Sequence, residues 1–217
     1  MNLSGDLFIG SKVVEEKESK YNGIIRVIKT LGLGTYIQVE GITQSGGVVD
    51  EIWKSTLKRV KKSNKDIKSV LILGLGGGSA AKWVRKCFPK ARITGVDIDP
   101  LFIKLGKKYL GLGNFGVDIK ILDARDYLKQ KNKSFEGFDL ILIDIYRGEN
   151  IPDKFMTENF VREVRMKLSD GGIAVFNRLY FGEKRKTAVK FAKKLEKLFN
   201  KVDYYYPEAN LVFICFS

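Results

Sequence analysis

Residues 69–100, SVLILGLGGGSAAKWVRKCFPKARITGVDIDP, constrain the fold more than any other stretch of the chain. Val70 to Leu73 is an unbroken apolar run, which suits a strand buried on both faces of a parallel sheet. Gly74, Gly76, Gly77 and Gly78 follow at once. Glycine adopts backbone angles closed to other residues and lets a ligand approach the main chain. Ser79 is placed to cap a helix that Pro89 stops near Phe88. A second strand, 93–96, ends at Asp97. The acid lies roughly 20 residues beyond the glycine turn, where a carboxylate can take both hydroxyls of a ribose. The dinucleotide form of this pattern has Gly or Ala where Ser79 stands, so the ligand is nucleotide-like without being a specified dinucleotide. The plainer alternative is a tight turn followed by a surface acid.

From Ser69 onward strands and helices alternate, which argues for an α/β fold with a mostly parallel sheet. Asp99 and Pro100 read as the cap and first residue of a helix through Tyr109. Strands are expected at 117–122, 138–143 and 173–176, the first two ending at Asp123 and Asp144. A helix carrying Phe160, Val161, Val164 and Leu168 is closed by Gly171 and Gly172. A lysine-rich helix follows, with Val189, Ala192, Leu195 and Phe199 at helical spacing. Two last strands, 201–206 and 211–216, make an antiparallel hairpin around Asn210. Upstream, residues 1–18 show no clear pattern. From Tyr21 the text is β-like, and Gly32-Leu33-Gly34 turns one strand into the next. The expected organisation is an N-terminal β-hairpin appendage over 1–62 and an α/β domain over 63–217, with Lys58 to Lys68 read as a polar linker.

The chain has no histidine, which removes the commonest general base and the commonest metal ligand. Proton transfer must therefore fall to Asp, Glu, Tyr or Lys, and no metal site is expected. Cys87 and Cys215 sit among apolar neighbours and read as buried thiols. No apolar run approaches a bilayer span, and the first residues have no signal-peptide core. A cytoplasmic protein without membrane contact is expected. The net charge of +14 raises the question of nucleic acid. Its lysines are scattered among acids, and no RNA-binding aromatic motif accompanies the denser runs, so a solvated surface is favoured over nucleic-acid contact.

Gly74, Asp97, Asp123 and Asp144 each end a strand. In an open parallel sheet, ligands bind beyond the carboxyl ends of the strands, so all four converge on one crevice. Asp126, just after Asp123, is read only as a helix-start acid.

With these residues in place, the chain resembles the spermidine synthase family and its spermidine-synthase-like methyltransferase relatives, from about Ser19 to the C-terminus. GLGGGS resembles the family's glycine-rich loop, and VDIDP its acid-ended second strand. LDARDYL resembles Gly-Asp-Ala-Arg-x-Phe-Leu, and EGITQ the appendage motif Asp-Gly-x-x-Gln. The resemblance implies a Rossmann-like class I methyltransferase fold that binds S-adenosylmethionine or its decarboxylated form. It implies Gly74, Gly76 and Gly78 along the methionine and ribose, and Asp97 with Ile98 at the ribose. It further implies Asp123 and Ala124 at the adenine, Gln44 on the cofactor, and Asp144 as the proton acceptor.

Three departures qualify it. The aminopropyltransferases' Asp-x-x-Asp reads Asp144-Ile145-Tyr146-Arg147, with an arginine for the second acid. Tyr-His-Glu in the appendage reads Trp53-Lys54-Ser55. The loop's Gly-Gly-Gly-Asp-Gly reads Gly-Gly-Gly-Ser-Ala from Gly76 to Ala80. The stretch from Asp144 through Ile151 and Pro152 instead resembles the divergent branch. These changes run against a polycationic acceptor. The sequence reading is therefore an S-adenosylmethionine-dependent methyltransferase acting on a small molecule of unspecified identity, with a homodimer left open. The alternatives are a polyamine aminopropyltransferase and a catalytically silent nucleotide- or nucleic-acid-binding protein. The charge is expected to give only weak, steeply salt-dependent RNA binding through a few lysine–phosphate contacts. A filter-binding titration against salt checks this; submicromolar binding at physiological salt would overturn it.

Overall fold

A computed structural model of the chain describes residues 10–32, 34–63, 65–130 and 136–217. Residues 1–9 and Leu33, the centre of the expected hairpin turn, lie outside them. Four strands come first: β1 (Ser11–Ser19), β2 (Gly23–Thr30), β3 (Gly34–Val39) and β4 (Ile42–Gly46). They form an antiparallel sheet in sequence order. The described part of the stretch that showed no pattern, from Ser11 on, is thus an edge strand, its register set by pairing from Ser11 opposite Thr30 to Ser19 opposite Gly23.

Helix α1 (Gly47–Lys61) replaces the expected strand and the first four residues of the expected linker. Val49, Ile52, Trp53, Thr56, Leu57 and Val60 are buried along it, which is a helical stripe and not an alternation. Its apolar face packs with the core of the second sheet, against Val70, Ile72, Leu140 and Val212.

The second sheet is built from β5 (Ser69–Leu73), α2 (Ser79–Cys87), β6 (Arg92–Asp97), α3 (Pro100–Tyr109), β7 (Val117–Ile121), α4 (Ala124–Lys129), β8 (Phe138–Ile143), α5 (Glu158–Arg165), β9 (Leu168–Leu179), α6 (Lys184–Glu196), β10 (Lys201–Tyr205) and β11 (Asn210–Phe216). Its order is β10-β11-β9-β8-β5-β6-β7. β9, β8, β5, β6 and β7 are parallel, and β11 and β10 add an antiparallel hairpin. This is the expected α/β architecture. The central strand shows why: Val70, Leu71, Ile72 and Leu73 are fully buried, alternating between two cores. One face carries α1 and α2. The other is closed by α5 and α6 through Phe160, Val164, Phe191 and Leu195. Cys87 and Cys215 are free and buried, as their apolar neighbours led one to expect.

Three local expectations need correction. The N-cap of α2 is Gly78, in the left-handed region at φ 99°, and Ser79 is the first helical residue. Ser79 Oγ instead accepts from Gly46 N at 2.8 Å and ties the two sheets together. Gly171 and Gly172 do not close a helix: α5 ends at Arg165, and both glycines lie in β9 beside a register irregularity against β8. In α6 the buried stripe is Ala188, Phe191, Ala192 and Leu195, while Val189 is 47% exposed. No helix among the described residues is long and apolar enough to cross a membrane.

Helix α3 carries the first sheet on its back. Phe102 and Leu105 pack with Ile25, Val27, Ile37 and Val39. On its other side Gly106 meets the glycine turn, where a Cβ would stand 2.7 Å from Gly77 Cα. Alanine normally improves a helix interior over glycine by about 1 kcal/mol. Here Gly106→Ala is expected to reverse that sign and destabilise by about 1–3 kcal/mol, the usual cost of overpacking. The urea midpoint of the variant measures it.

Candidate functional site

The carboxyl ends of β5, β6, β7, β8 and β9 open into one cavity of about 550 Å³. That is the size of a small-molecule site. Of the residues named from sequence, Gln44, Gly74, Gly76, Asp97, Ile98, Asp123, Ala124 and Asp144 all line it. Gly78 does not. Its left-handed backbone starts α2 and packs on Leu112, which turns it away from the cavity.

The glycine turn is held by bonds that leave its inner face open. Gly74 N and Leu75 N donate to Val96 O at 2.9 and 3.1 Å, and Gly77 N donates to Ser45 Oγ at 2.8 Å. Gly76 N donates to Asp97 Oδ2 at 2.7 Å. The other Asp97 oxygen accepts from Asp99 N at 2.9 Å. Burial is the largest influence on Asp97 and pushes its pKa up to about 6, against those backbone donors. Each oxygen keeps a lone pair for a hydroxyl in the cavity.

Asp99 faces away and anchors the β1–β2 turn. Its side chain caps α3, accepting from Leu101 N and Phe102 N, and also accepts from Ser19 Oγ at 2.5 Å and Asn22 Nδ2 at 2.7 Å. Tyr21 and Asn22, in that turn, reach the cavity wall.

At the β7 end, Asp123 caps α4 through Arg125 N and carries an ion pair to Lys154 Nζ at 2.5 Å. Lys154 was not foreseen; it lies in a single 3₁₀ turn, Asp153–Phe155, far along the chain. Leu122, Ala124, Ile98 and Phe155 supply apolar wall around this acid. A flat heteroaromatic ring with one donor group would be served by that arrangement. Gln44 Nε2 donates to Gly148 O at 2.8 Å, joining β4 to the loop after β8.

Asp144 follows β8. Its backbone N donates to Leu73 O at 2.9 Å, and both its carboxylate oxygens are held, by Trp53 Nε1 and Asn177 Nδ2, each at 2.9 Å. Burial raises its pKa; the two donors and the nearby Arg178 guanidinium act against that. Tyr146 Oη, which accepts from Leu179 N, donates to Asn177 O. Asn177 was missed, although it stands just beyond the expected strand 173–176, where the strand-end rule that found the acids would have found it. Trp53 was noted only as a departure, and its indole now proves to be a donor to the central acid.

Lys54 does not bring a cation to the cavity. It pairs with Glu51 on the outer side of α1 and does not line the site. Arg147 does line it, with an exposed side chain at the rim.

Comparison with known proteins adds the following. A sequence model described as the spermine/spermidine synthase domain matches residues 52–211. A polyamine aminopropyltransferase of Vibrio vulnificus is 33% identical over 109 residues, covering 50% of this chain and 36% of that protein. One from Pyrobaculum aerophilum is 30% identical over 180 residues, covering 77% of this chain and 61% of that protein. The chain thus spans less than two thirds of the length of either relative. In fold it is similar to a probable spermidine synthase from Corynebacterium glutamicum, with a TM-score of 0.77 at 20% identity, over 94% of this chain and 80% of that one.

The Asp97 carboxylate gives a pH dependence with a definite sign. Its pKa of about 6 lies above the unfolded value near 3.9, so its contribution to folding stability is present below about 4 and lost as pH rises through about 6. The sequence reading sets Asp97 against ribose hydroxyls, which favour the ionised form; on that expectation adenosyl ligand affinity changes in the opposite sense, falling as pH drops below about 6. Asp97→Ala is expected to weaken methylthioadenosine binding by about 1.5–3 kcal/mol, the scale of a hydrogen bond to a charged group, and to flatten that dependence. Calorimetric titration across pH measures both.

Proposed function

The chain belongs to the spermine/spermidine synthase domain family, and on that premise we propose that it transfers an aminopropyl group from decarboxylated S-adenosylmethionine to a small di- or polyamine. The observation that carries the reading is Asp144, a cavity-lining carboxylate with a raised pKa, fixed beside the glycine turn and Asp97. The expectation of methyl transfer ranks second, because the named relatives are polyamine aminopropyltransferases and Lys54 faces away from the site. Arg147 at the rim is the one feature that still favours a neutral or anionic acceptor, and with it methyl transfer.

Asp97 and the turn from Gly74 to Gly76 would hold the ribose side of the donor. Asp123 would take the adenine amino group, and Gln44 would brace the wall opposite. When bound, the sulfonium supplies an electrophilic carbon and a thioether leaving group. Asp144 accepts the proton released by the attacking nitrogen as the C–N bond forms and the C–S electron pair returns to sulfur. Trp53 and Asn177 fix the carboxylate in line, which serves both positioning and proton transfer. The raised pKa makes Asp144 a stronger base than an ordinary carboxylate, and activity is lost as pH falls through it.

Mass spectrometry of products from the purified protein tests this. Decarboxylated S-adenosylmethionine and a diamine should yield the aminopropylated amine and methylthioadenosine, and Asp144→Asn should lower the rate by roughly 10²–10⁴-fold. Methylated product with S-adenosylmethionine, and none with the decarboxylated donor, would reverse the ranking.

A further inference from the structure

The acceptor end of the cavity contains a hydrogen-bond chain whose polarity is dictated by its first member. Ionised Asp144 can only accept, so both side chains that touch it must present N–H groups. Trp53 has only an N–H to offer, and Asn177 must turn its amide nitrogen to the acid. Its carbonyl oxygen then points along the sheet, where Asn210 Nδ2 donates to it at 2.7 Å. Asn210 is left with a carbonyl oxygen that takes no hydrogen bond from a described residue and is not among the buried unpartnered atoms. Asn210 lines the cavity, and that oxygen is the part of its amide not engaged with Asn177. Asn177 and Asn210 are only 3% and 6% exposed, so packing holds both amides in place.

Glu208 lies two residues earlier and also lines the cavity. It occupies the first central position of the β10–β11 turn, which is closed by Asn210 N donating to Pro207 O at 3.0 Å. Its φ of 53° is one that glycine adopts more readily, and its carboxylate makes no ion pair with a described residue.

We propose that Asn210 and Glu208 are specificity residues for the acceptor: Asn210 takes an N–H of the reacting amine, and Glu208 takes the second ammonium of a diamine. The inference rests on the amine reading above. Asp144 orients Asn210 through Asn177, so the acid that receives the proton also sets the polarity of the group that recognises the nitrogen. Glu208 supplies, from a different turn, the negative charge that Arg147 withholds at the end of the Asp144 loop.

The test uses the full chain with decarboxylated S-adenosylmethionine, comparing 1,4-diaminobutane with butylamine. Glu208→Gly should raise KM for the diamine roughly three- to fivefold, the worth of one partly exposed ion pair, and leave KM for butylamine unchanged. Its melting temperature should not fall, since glycine suits that turn. Methylthioadenosine binding, read by calorimetry, should match the wild type. Asn210→Asp should move the acid limb of the kcat/KM profile to higher pH, because two carboxylates then compete for the Asn177 amide. Arg178 and Tyr146, the other ionisable groups near Asp144, are untouched by that change. An active wild type whose two variants keep its diamine preference and pH profile overturns this inference alone. A wild type that aminopropylates no amine overturns the amine reading and this inference with it.

Discussion

The site depends on one close approach of two backbones. A Cβ on Gly74 would stand 2.2 Å from Asp144 O, and Gly74 holds φ at 85°. Asp144 N donates to Leu73 O at 2.9 Å, so the two loops leaving adjacent parallel strands are joined as well as touching. The glycine turn and the acid proposed to receive the proton, both on the cavity wall, are therefore one rigid piece. Any side chain at position 74 would have to push them apart, and reaction geometry is sensitive to small displacements. Gly77 and Gly106 repeat the device one layer out and seat α3 against the same turn.

Much of this was legible in the sequence because the signals are local. An apolar run, a glycine cluster and an acid at each strand end need no knowledge of the partner strand. What escaped depends on phase or on pairing. Residues 47–61 open on the second of two glycines and carry adjacent valines, which mimics a strand, and only the recurrence of Ile52, Trp53, Thr56 and Leu57 marks a helix. That helix also decided the fate of Lys54. Successive helical residues point about 100° apart, so Trp53 turns inward to Asp144 while Lys54 turns out to Glu51. Asn177 and Asn210 meet because β11 pairs with β9, and strand order is not written in either segment. Lys154 reaches Asp123 from a three-residue 3₁₀ turn, too short to show a periodic pattern.

The electrostatics divide the molecule in two. The chain carries a net charge of +14, yet Asp97, Asp123, Asp144 and Glu208 all line the cavity. Of the two cations on that wall, Lys154 is committed to Asp123. A cationic acceptor would thus be repelled at long range and attracted at short range. Salt screens the first effect more than the second, because exposed charges beyond a Debye length are largely hidden while the cavity acids are partly desolvated.

Asp97 and Asp99 are separated by Ile98 alone, yet they face opposite duties: one looks into the cavity and the other clasps Ser19 and Asn22 of the β1–β2 turn. The first sheet is consequently not an interchangeable module. Its turn is latched to the cap of α3, and the same short backbone segment presents Asp97 to the cavity. A chimaera that took its first sheet from a relative without a matching serine and asparagine would unlatch the turn and leave Asp99 short of two donors. The heritable unit is then discontinuous, a hairpin turn and a helix cap nearly eighty positions away that must change together.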